Sequence, residues 1–182
     1  MILAFDTATS FGAVCALAPD RRGHAARAGD LLVAVDELVS DPAEIDGIVV
    51  GRGPGSFTSI RIGLAMARTL ALALDVPVAG ASTLDAYAGG TPVLDARRGE
   101  VFTTGPRVCK PEELDVGGQT LVGDGAIRYR AIFEQHGATI PPDDDGAHVP
   151  DPLRLVEAAG AFGPAELVEP LYVREPDAKP QP

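Results

Sequence analysis

The chain has 182 residues, 46% of them hydrophobic, which suits one globular domain or two small ones. Its 15 Lys and Arg residues stand against 26 Asp and Glu residues, for a formal net charge of -11. This balance disfavours independent nucleic-acid binding, because neutralising phosphates requires a basic surface. Any role on RNA would therefore work through a partner that supplies positive charge.

Several features predict a cytoplasmic protein that makes no membrane contact. Cys15 and Cys109 are far apart and form no C-x-x-C motif, as is typical of a reducing compartment. The N-terminal MILAFDTATS lacks the basic stretch of a signal peptide. The apolar run 60–74 contains Arg61 and Arg68 and is short for a bilayer span.

The first half of the chain reads as strands and helices in alternation. We predict strands at 2–5, 12–18, 23–29, 47–51 and 76–80. We predict helices over 31–39, with Asp30 as N-cap, over 56–74, and over 83–88, with Ser82 as cap. The sequence Gly89-Gly90-Thr91-Pro92 is the strongest candidate in the chain for a boundary between two lobes. It divides the chain into an N-terminal lobe, 1–90, and a C-terminal lobe, 91–182.

The second half is predicted in less detail. We expect a strand at 120–123, helices near 128–135 and 153–161, and a final strand at 170–174. The acidic, proline-rich stretch 141–152 and the polar tail 175–182 are expected to be mobile.

The start of the C-terminal lobe repeats the start of the chain. MILAFDTATSFGAVCAL and TPVLDARRGEVFTTG each contain an apolar strand that ends in Asp, a turn, a Gly, and a second strand with Val. The equivalent pairs are Asp6 with Asp95, Gly12 with Gly99, and Val14 with Val101. Two such strand-turn-strand units that face each other form the architecture of the actin and sugar-kinase superfamily.

A glycine-rich loop, GRGPGS at 51–56, precedes the longest predicted helix. It could bind an anion at the helix N-terminus. It is not a P-loop, because no Gly-Lys-Ser/Thr follows, and Ser56 stands where a dinucleotide-binding fingerprint needs glycine. The alternative is a tight strand-to-helix connection that needs positive φ, capped by Ser56 or Thr58.

The helix over 56–74 has more apolar surface than one sheet face can cover. A helix that covers one sheet face needs an apolar arc of only about 100°. Here apolar and small residues cover most of the circumference, and the polar positions are Arg61 and Arg68, which share one stripe, and Thr69. The helix over 31–39 shows the same excess. Either the longer helix is enclosed within its own domain, or these helices face the core on one side and a partner on the other.

A phosphate site is the main candidate for chemistry. Asp6 and Thr7, with Gly53 and Gly55 of the loop, could hold a magnesium-bound phosphate opposite Asp95. The alternatives are an Asx-turn at Asp6 and a capped turn at Asp95. We assign no catalytic residue and no metal ligand, because the three histidines are isolated and no G-x-S-x-G elbow or nucleophile–base pair supports a peptidase.

The motifs ILAFDTATS, GRGPGSFTSIRIGLAMARTLAL, VPVAGASTLDA, DARRGEVF and EPLYVR resemble the TsaB family. They occur in order over nearly the whole chain and are densest from Met1 to Phe102. The resemblance implies an α/β actin-like (ASKHA, RNase H-like) fold of two lobes, each with a mixed sheet flanked by helices, the second one reduced. Ser59 departs from the family pattern, which has glycine there, and 22–32 is a shortened form of another family segment.

The same resemblance implies an accessory role in making threonylcarbamoyladenosine beside the anticodon of tRNA. The expected partners are a TsaD-like catalytic subunit, a TsaE-like ATPase and, alternatively, a second copy of the chain, with tRNA contacted only indirectly. No cofactor is expected on the chain alone, and ATP or ADP with magnesium only in the assembled complex. An active ATPase or phosphotransferase that uses Asp6 and Asp95 is the alternative.

The resemblance also maps a partner interface onto the two apolar helices. The family packs its first two helices against a partner in a helical bundle. The corresponding candidate interface residues are Leu32, Val35, Val39, Phe57, Ile60, Gly63, Met66, Ala67 and Leu70.

Overall fold

The computed structural model describes residues 1–174, which form two mixed sheets flanked by helices. The first sheet has the order β3-β2-β1-β4-β5 and the second the order β8-β7-β6-β9. The first contains β1 (Ile2–Asp6), β2 (Ala13–Leu17), β3 (Arg21–Ala25), β4 (Gly47–Gly51) and β5 (Val78–Ala81). The second contains β6 (Thr91–Asp95), β7 (Val101–Thr103), β8 (Arg107–Cys109) and β9 (Leu121–Val122). The predicted mixed α/β class is confirmed.

The central strands are apolar without alternation because both faces of the first sheet are covered. Along β1, Leu3 and Phe5 point into the core beneath one layer of helices, whereas Ala4 points into a core shared with the second sheet. The neighbouring strand β4 divides its side chains in the same way. Each face buries apolar surface, which stabilises the sheet.

Within residues 1–174, five α-helices surround the sheets. Helices α1 (Leu31–Leu38) and α2 (Phe57–Leu74) pack on one face of the first sheet, and α5 (Pro152–Ala158) packs on the other. Helices α3 (Asp124–Arg128) and α4 (Arg130–Gln135) belong to the second sheet. The predicted helices over 31–39 and 56–74 are thus confirmed to within a residue. Asp30 precedes α1, but its side chain makes no capping hydrogen bond.

Two predictions in the C-terminal half fail or fall outside the described residues. The predicted final strand at 170–174 is wrong: these residues belong to neither sheet, and the Leu171 amide donates instead to the carbonyl of Arg52 in the glycine loop (2.7 Å). The polar tail 175–182 lies outside the described residues.

The predicted repeat appears in the strand register. In the β1–β2 hairpin Asp6 pairs with Val14, and in the β6–β7 hairpin Asp95 pairs with Val101. Each hairpin then gains a parallel neighbour next to its first strand, β4 in one sheet and β9 in the other. The same local pattern of apolar strand, Asp and turn has therefore produced the same local topology twice.

The predicted division after Gly90 falls between the two sheets, but the chain crosses it again. Helix α5, from the C-terminal half, packs on β1 and β4 of the first sheet through the buried Leu155. Leu94 and Phe102 of the second sheet join the same core. Separate domains at 1–90 and 91–182 stay a prediction.

Helix α2 spans 18 residues, one fewer than the predicted helix over 56–74. Within residues 1–174 it is the one helix long and apolar enough, by length and composition alone, to cross a membrane. One such helix is weak evidence, because core helices pass the same test. The burial of Ile60, Leu64 and Ala67 against the sheet identifies α2 as a core-packing helix.

The end of β4 tolerates only glycine. A Cβ atom at Gly51 would overlap the carboxylate of Asp6, which is fixed by its own hydrogen bonds. We expect Gly51→Ala to lower the free energy of unfolding by about 3 kcal/mol, because the buried carboxylate has no space to move. Urea denaturation measures this change. In the control Gly29→Ala the added Cβ meets nothing within 4 Å, and an equal loss there would contradict the explanation.

Candidate functional site

A cleft of about 870 Å³ opens between the two Asp-containing hairpins. Its walls are the turn after β1, the glycine loop with the start of α2, the turn after β6, and the segment 171–174. This is the place where the sequence predicted a phosphate site. Its chemistry depends on which side chains actually face the opening.

Asp6 does not face the cleft. Its side chain is buried, with Oδ1 accepting the Ala8 amide (2.6 Å) and Oδ2 accepting the Thr83 hydroxyl (2.6 Å). The first bond is the Asx-turn that the sequence offered as the alternative. Since both carboxylate oxygens are engaged inside the protein, the residues at this position do not fit a magnesium–phosphate site.

Thr7 is buried as well, beneath the first turn of α2. Its hydroxyl donates to the carbonyl of Ser59 (2.7 Å) and lies against Gly63, where a Cβ atom would approach it to 2.5 Å. The close approach of helix to hairpin therefore occurs at Gly63, one turn beyond the Ser59 position that departs from the family pattern. Thr7 positions the helix and makes no contact with the cleft opening.

The glycine loop acts as a connector. Gly53 has φ +101, its amide donates to the Thr83 hydroxyl (3.1 Å), and Gly55 sits against the carbonyl of Ala8. Ser56 then caps α2 by accepting the Ser59 amide (3.4 Å). These contacts match the predicted tight strand-to-helix connection with Ser56 as the cap.

Asp95 faces the cleft but is already paired. Its side chain is 6% exposed, and its carboxylate accepts the Arg97 amide (2.9 Å) and pairs with the Arg97 guanidinium (3.2 Å). Arg128 lies on the same carboxylate at 3.7 Å. This is the capped turn that the sequence gave as the alternative. Asp6 and Asp95 thus lie at equivalent places but do not present a pair of free carboxylates.

Asp124, at the start of α3, connects the two hairpins across the floor of the cleft. Its Oδ2 accepts the amide of Ser10, and its Oδ1 accepts the amide of Asp95, at 3.1 and 3.0 Å. Asp124 was not among the predicted site residues. The sequence shows only an acidic residue directly after Gly123. It does not show that the partners of this residue, Ser10 and Asp95, lie 114 and 29 residues away along the chain.

The segment 171–174 lies along the rim of the cleft and contacts both sheets' loops. Tyr172 stacks on Phe57 at the start of α2, with ring centroids 4.9 Å apart. Arg174 donates to the carbonyl of Ala96 (2.8 Å) and forms an ion pair with Glu100. The EPLYVR motif therefore links the start of α2 to the turn after β6.

Within residues 1–174, no three His, Cys, Asp or Glu side chains come together as potential metal ligands. His148, one of the isolated histidines, is buried: its Nδ1 accepts the Gly123 amide (3.1 Å) and its Nε2 lies 3.2 Å from the Pro141 carbonyl. Cys15 is packed in the core, where burial raises the pKa of its thiol to about 11. These groups serve the structure.

The candidate interface residues divide into buried and accessible positions. Four of them are buried on the sheet in the described chain and are removed from the candidate surface: Val35, Ile60, Gly63 and Ala67. The physical reason is that they occupy the core-facing stripe of their helices, spaced three or four residues apart. Phe57 lies in the cleft wall, stacked on Tyr172.

The outward faces of α1 and α2 remain apolar. Leu32 and Val33 on α1 are 48% and 61% exposed, and Leu72 on α2 is 86% exposed. The predicted residues Val39, Met66 and Leu70 are half-buried along the flanks of these helices. Val33 and Leu72 were missed because helical periodicity alone does not show which apolar stripe faces the sheet.

Comparisons with known proteins agree with this geometry. The model of a protein family described as TsaD, tRNA N6-adenosine threonylcarbamoyltransferase, matches residues 21–133. A Bacillus subtilis protein named tRNA threonylcarbamoyladenosine biosynthesis protein TsaB is 39% identical over 95 residues, which cover 46% of this chain and 40% of the relative. The chain belongs to this family, in its TsaB branch.

Other relatives extend the match over most of this TsaB-family chain. An uncharacterized protein of Mycobacterium tuberculosis is 39% identical over 177 residues, covering 88% of this chain and 80% of its own. The solved structure of YeaZ from Pseudomonas aeruginosa superposes with a TM-score of 0.73 at 25% identity, covering 94% of this chain and 98% of that one. The two mixed sheets are thus those of an ASKHA-like fold.

The link through Asp124 can be tested by removing its carboxylate. We expect Asp124→Ala to lower the free energy of unfolding by about 1–3 kcal/mol, because two backbone amides of opposite hairpins lose their acceptor. Thermal and urea unfolding measure the effect. The exposed Asp144→Ala serves as control, with a change within about 0.5 kcal/mol. Equal effects of the two substitutions would contradict the role of Asp124.

The buried Asp6 predicts a pH dependence. Burial raises the pKa of its carboxyl above 3.8, and the hydrogen bonds from Thr83 and Ala8 oppose this rise. With the folded pKa above the unfolded one, the contribution of Asp6 to stability is full below the unfolded pKa and is lost as the pH rises through the folded pKa.

Asp6→Asn removes this titration. From about pH 4 toward neutrality, wild-type stability should therefore fall relative to that of the variant. Urea unfolding of both proteins over a pH series tests the sign. A difference that grows in favour of the wild type as the pH rises would contradict it.

Proposed function

We propose that this chain is a non-catalytic accessory subunit for tRNA threonylcarbamoyladenosine synthesis, and that it binds a TsaD-type catalytic subunit through α1 and α2. The observation that carries the proposal is the apolar outward surface of these two helices, with Val33 and Leu72 at its most exposed positions. The relatives named TsaB support the pathway. The apolar helix surface supports the proposal that the chain acts by binding a partner.

Exposed aliphatic side chains on adjacent helices favour association. Helix α1 packs over β2 and β3, and α2 over β4 and its neighbours, so the helices lie side by side on one sheet face. Burying a fully exposed leucine stabilises a complex by about 1.5–3 kcal/mol. The alanines at 65 and 73 beside Leu72 leave space for a partner helix to come close.

Catalysis on this view is supplied by the partner. The carboxylate of Asp6 is engaged by Thr83 and Ala8, and Asp95 is paired with Arg97, so neither is free to hold a metal-bound phosphate. We propose that ATP or ADP with magnesium enters only in the assembled complex, together with a TsaE-like ATPase.

We also propose that the assembly is cytoplasmic and makes no membrane contact. In the absence of the catalytic subunit, the same helices can pair two copies of this chain.

Coexpression tests the proposal directly. This chain and a tagged TsaD-type protein of the same organism should copurify as a stoichiometric complex. The isolated chain should show no magnesium-dependent ATP turnover. Failure to copurify, or turnover that Asp6→Asn abolishes, would refute the proposal and favour an active phosphotransferase.

Two exposed positions provide the sharpest test of the surface. We expect Val33→Glu and Leu72→Glu each to weaken the complex about 30-fold or more, because a charge is buried at the contact, while the fold persists since both side chains are exposed. Analytical ultracentrifugation measures the association, and circular dichroism measures whether the fold persists. Val149→Glu, at an exposed valine of the C-terminal half, is the control. Unchanged association of both helix variants would place the contact elsewhere.

A further inference from the structure

The cleft concentrates positive charge on an acidic chain. Five of the 15 Lys and Arg residues line it, against two of the 26 Asp and Glu residues. The arginines are Arg27, Arg61, Arg97, Arg98 and Arg174. The whole chain has a net charge of -11, so this local excess of cations marks the cleft as the place where an anionic ligand is favoured.

The arginines come from both sides of the cleft and differ in their partners. Arg97 and Arg174 are paired with Asp95 and Glu100. Arg27, before α1, and Arg61, on the first turns of α2, form no ion pair within residues 1–174. These two guanidinium groups keep their full charge for a ligand.

An aromatic pair stands beside these charges. Phe57 and Tyr172 stack with an interplanar angle of 28°, and they remain 41% and 40% exposed. The Arg61 guanidinium lies over the Phe57 ring, 5.3 Å from its centroid. Proteins that bind single-stranded nucleic acid combine a positively charged groove with aromatic rings on which bases stack, and Arg contributes through cation–π contacts.

We propose that this cleft contacts a single-stranded stretch of the substrate RNA, with phosphates at Arg27 and Arg61 and a base stacked on Tyr172. The inference rests on the proposed function, because the overall negative charge repels RNA from the isolated chain and the catalytic subunit must bring it close. The cleft, about 870 Å³, is large enough for more than one nucleotide. An acidic protein segment would use the arginines but has no need of an exposed aromatic stack.

The experiment uses the purified complex and a fluorescent RNA hairpin that carries the anticodon loop of a substrate tRNA. We expect the double variant Arg27→Ala/Arg61→Ala to weaken RNA binding about tenfold and to reduce the slope of log K against log salt by about 1.4, since each lost phosphate contact on a single strand contributes about 0.7. Tyr172→Ala should weaken binding about fivefold, and Tyr172→Phe should restore it. Arg107→Ala, at an exposed arginine outside the cleft, should change neither quantity.

Each other outcome overturns the proposal. Unchanged RNA affinity and salt slope in the double variant would show that the cleft does not contact RNA. Dissociation of the complex by the double variant would make the cleft a protein-docking site. Should the wild-type complex itself fail to form, the proposed function fails and this inference fails with it, whereas an intact complex whose RNA binding ignores Arg27 and Arg61 overturns the inference alone.

Discussion

The buried carboxylate of Asp6 is the constraint on which the rest of the structure depends. It accepts the Thr83 hydroxyl, and the same hydroxyl accepts the amide of Gly53, so one short chain of hydrogen bonds joins the end of β1, the glycine loop and the residues after β5. Gly51 lies against the carboxylate with no room for a side chain. These contacts fix where the loop turns and hence the direction in which α2 leaves the sheet.

Asp6 has a structural role here, although the architecture suggests that this carboxylate would bind a metal-bound phosphate. A carboxylate at the mouth of a strand hairpin could hold a metal-bound phosphate, but here burial and two internal donors satisfy it, and the pKa of its carboxyl is raised by burial. Its counterpart Asp95 is held by arginines. The features that remain available for binding are the outward faces of α1 and α2 and the cleft rich in arginine. An accessory subunit that acts through contacts fits these properties.

Much of the fold could be predicted because it is local. Unbroken apolar runs predicted the central strands, and the repeated strand–Asp–turn pattern predicted two equivalent hairpins, in which the structure pairs Asp6 with Val14 and Asp95 with Val101. Long-range contacts could not be predicted. Nothing near Asp124 indicates that it joins Ser10 to Asp95, and nothing in 170–174 shows that the segment joins neither sheet and lies along the rim of the cleft. Helical periodicity likewise identified two apolar helices but not which stripe each buries.

The central claim is that this chain is needed for, but does not catalyse, the modification of tRNA. The most direct measurement is the amount of threonylcarbamoyladenosine in tRNA from a strain without this gene, determined by mass spectrometry of nucleosides. The account predicts that the nucleoside disappears and that both the wild-type chain and the Asp6→Asn variant restore it. Persistence of the nucleoside in the deletion strain, or restoration by the wild type but not by a folded Asp6→Asn variant, would contradict it.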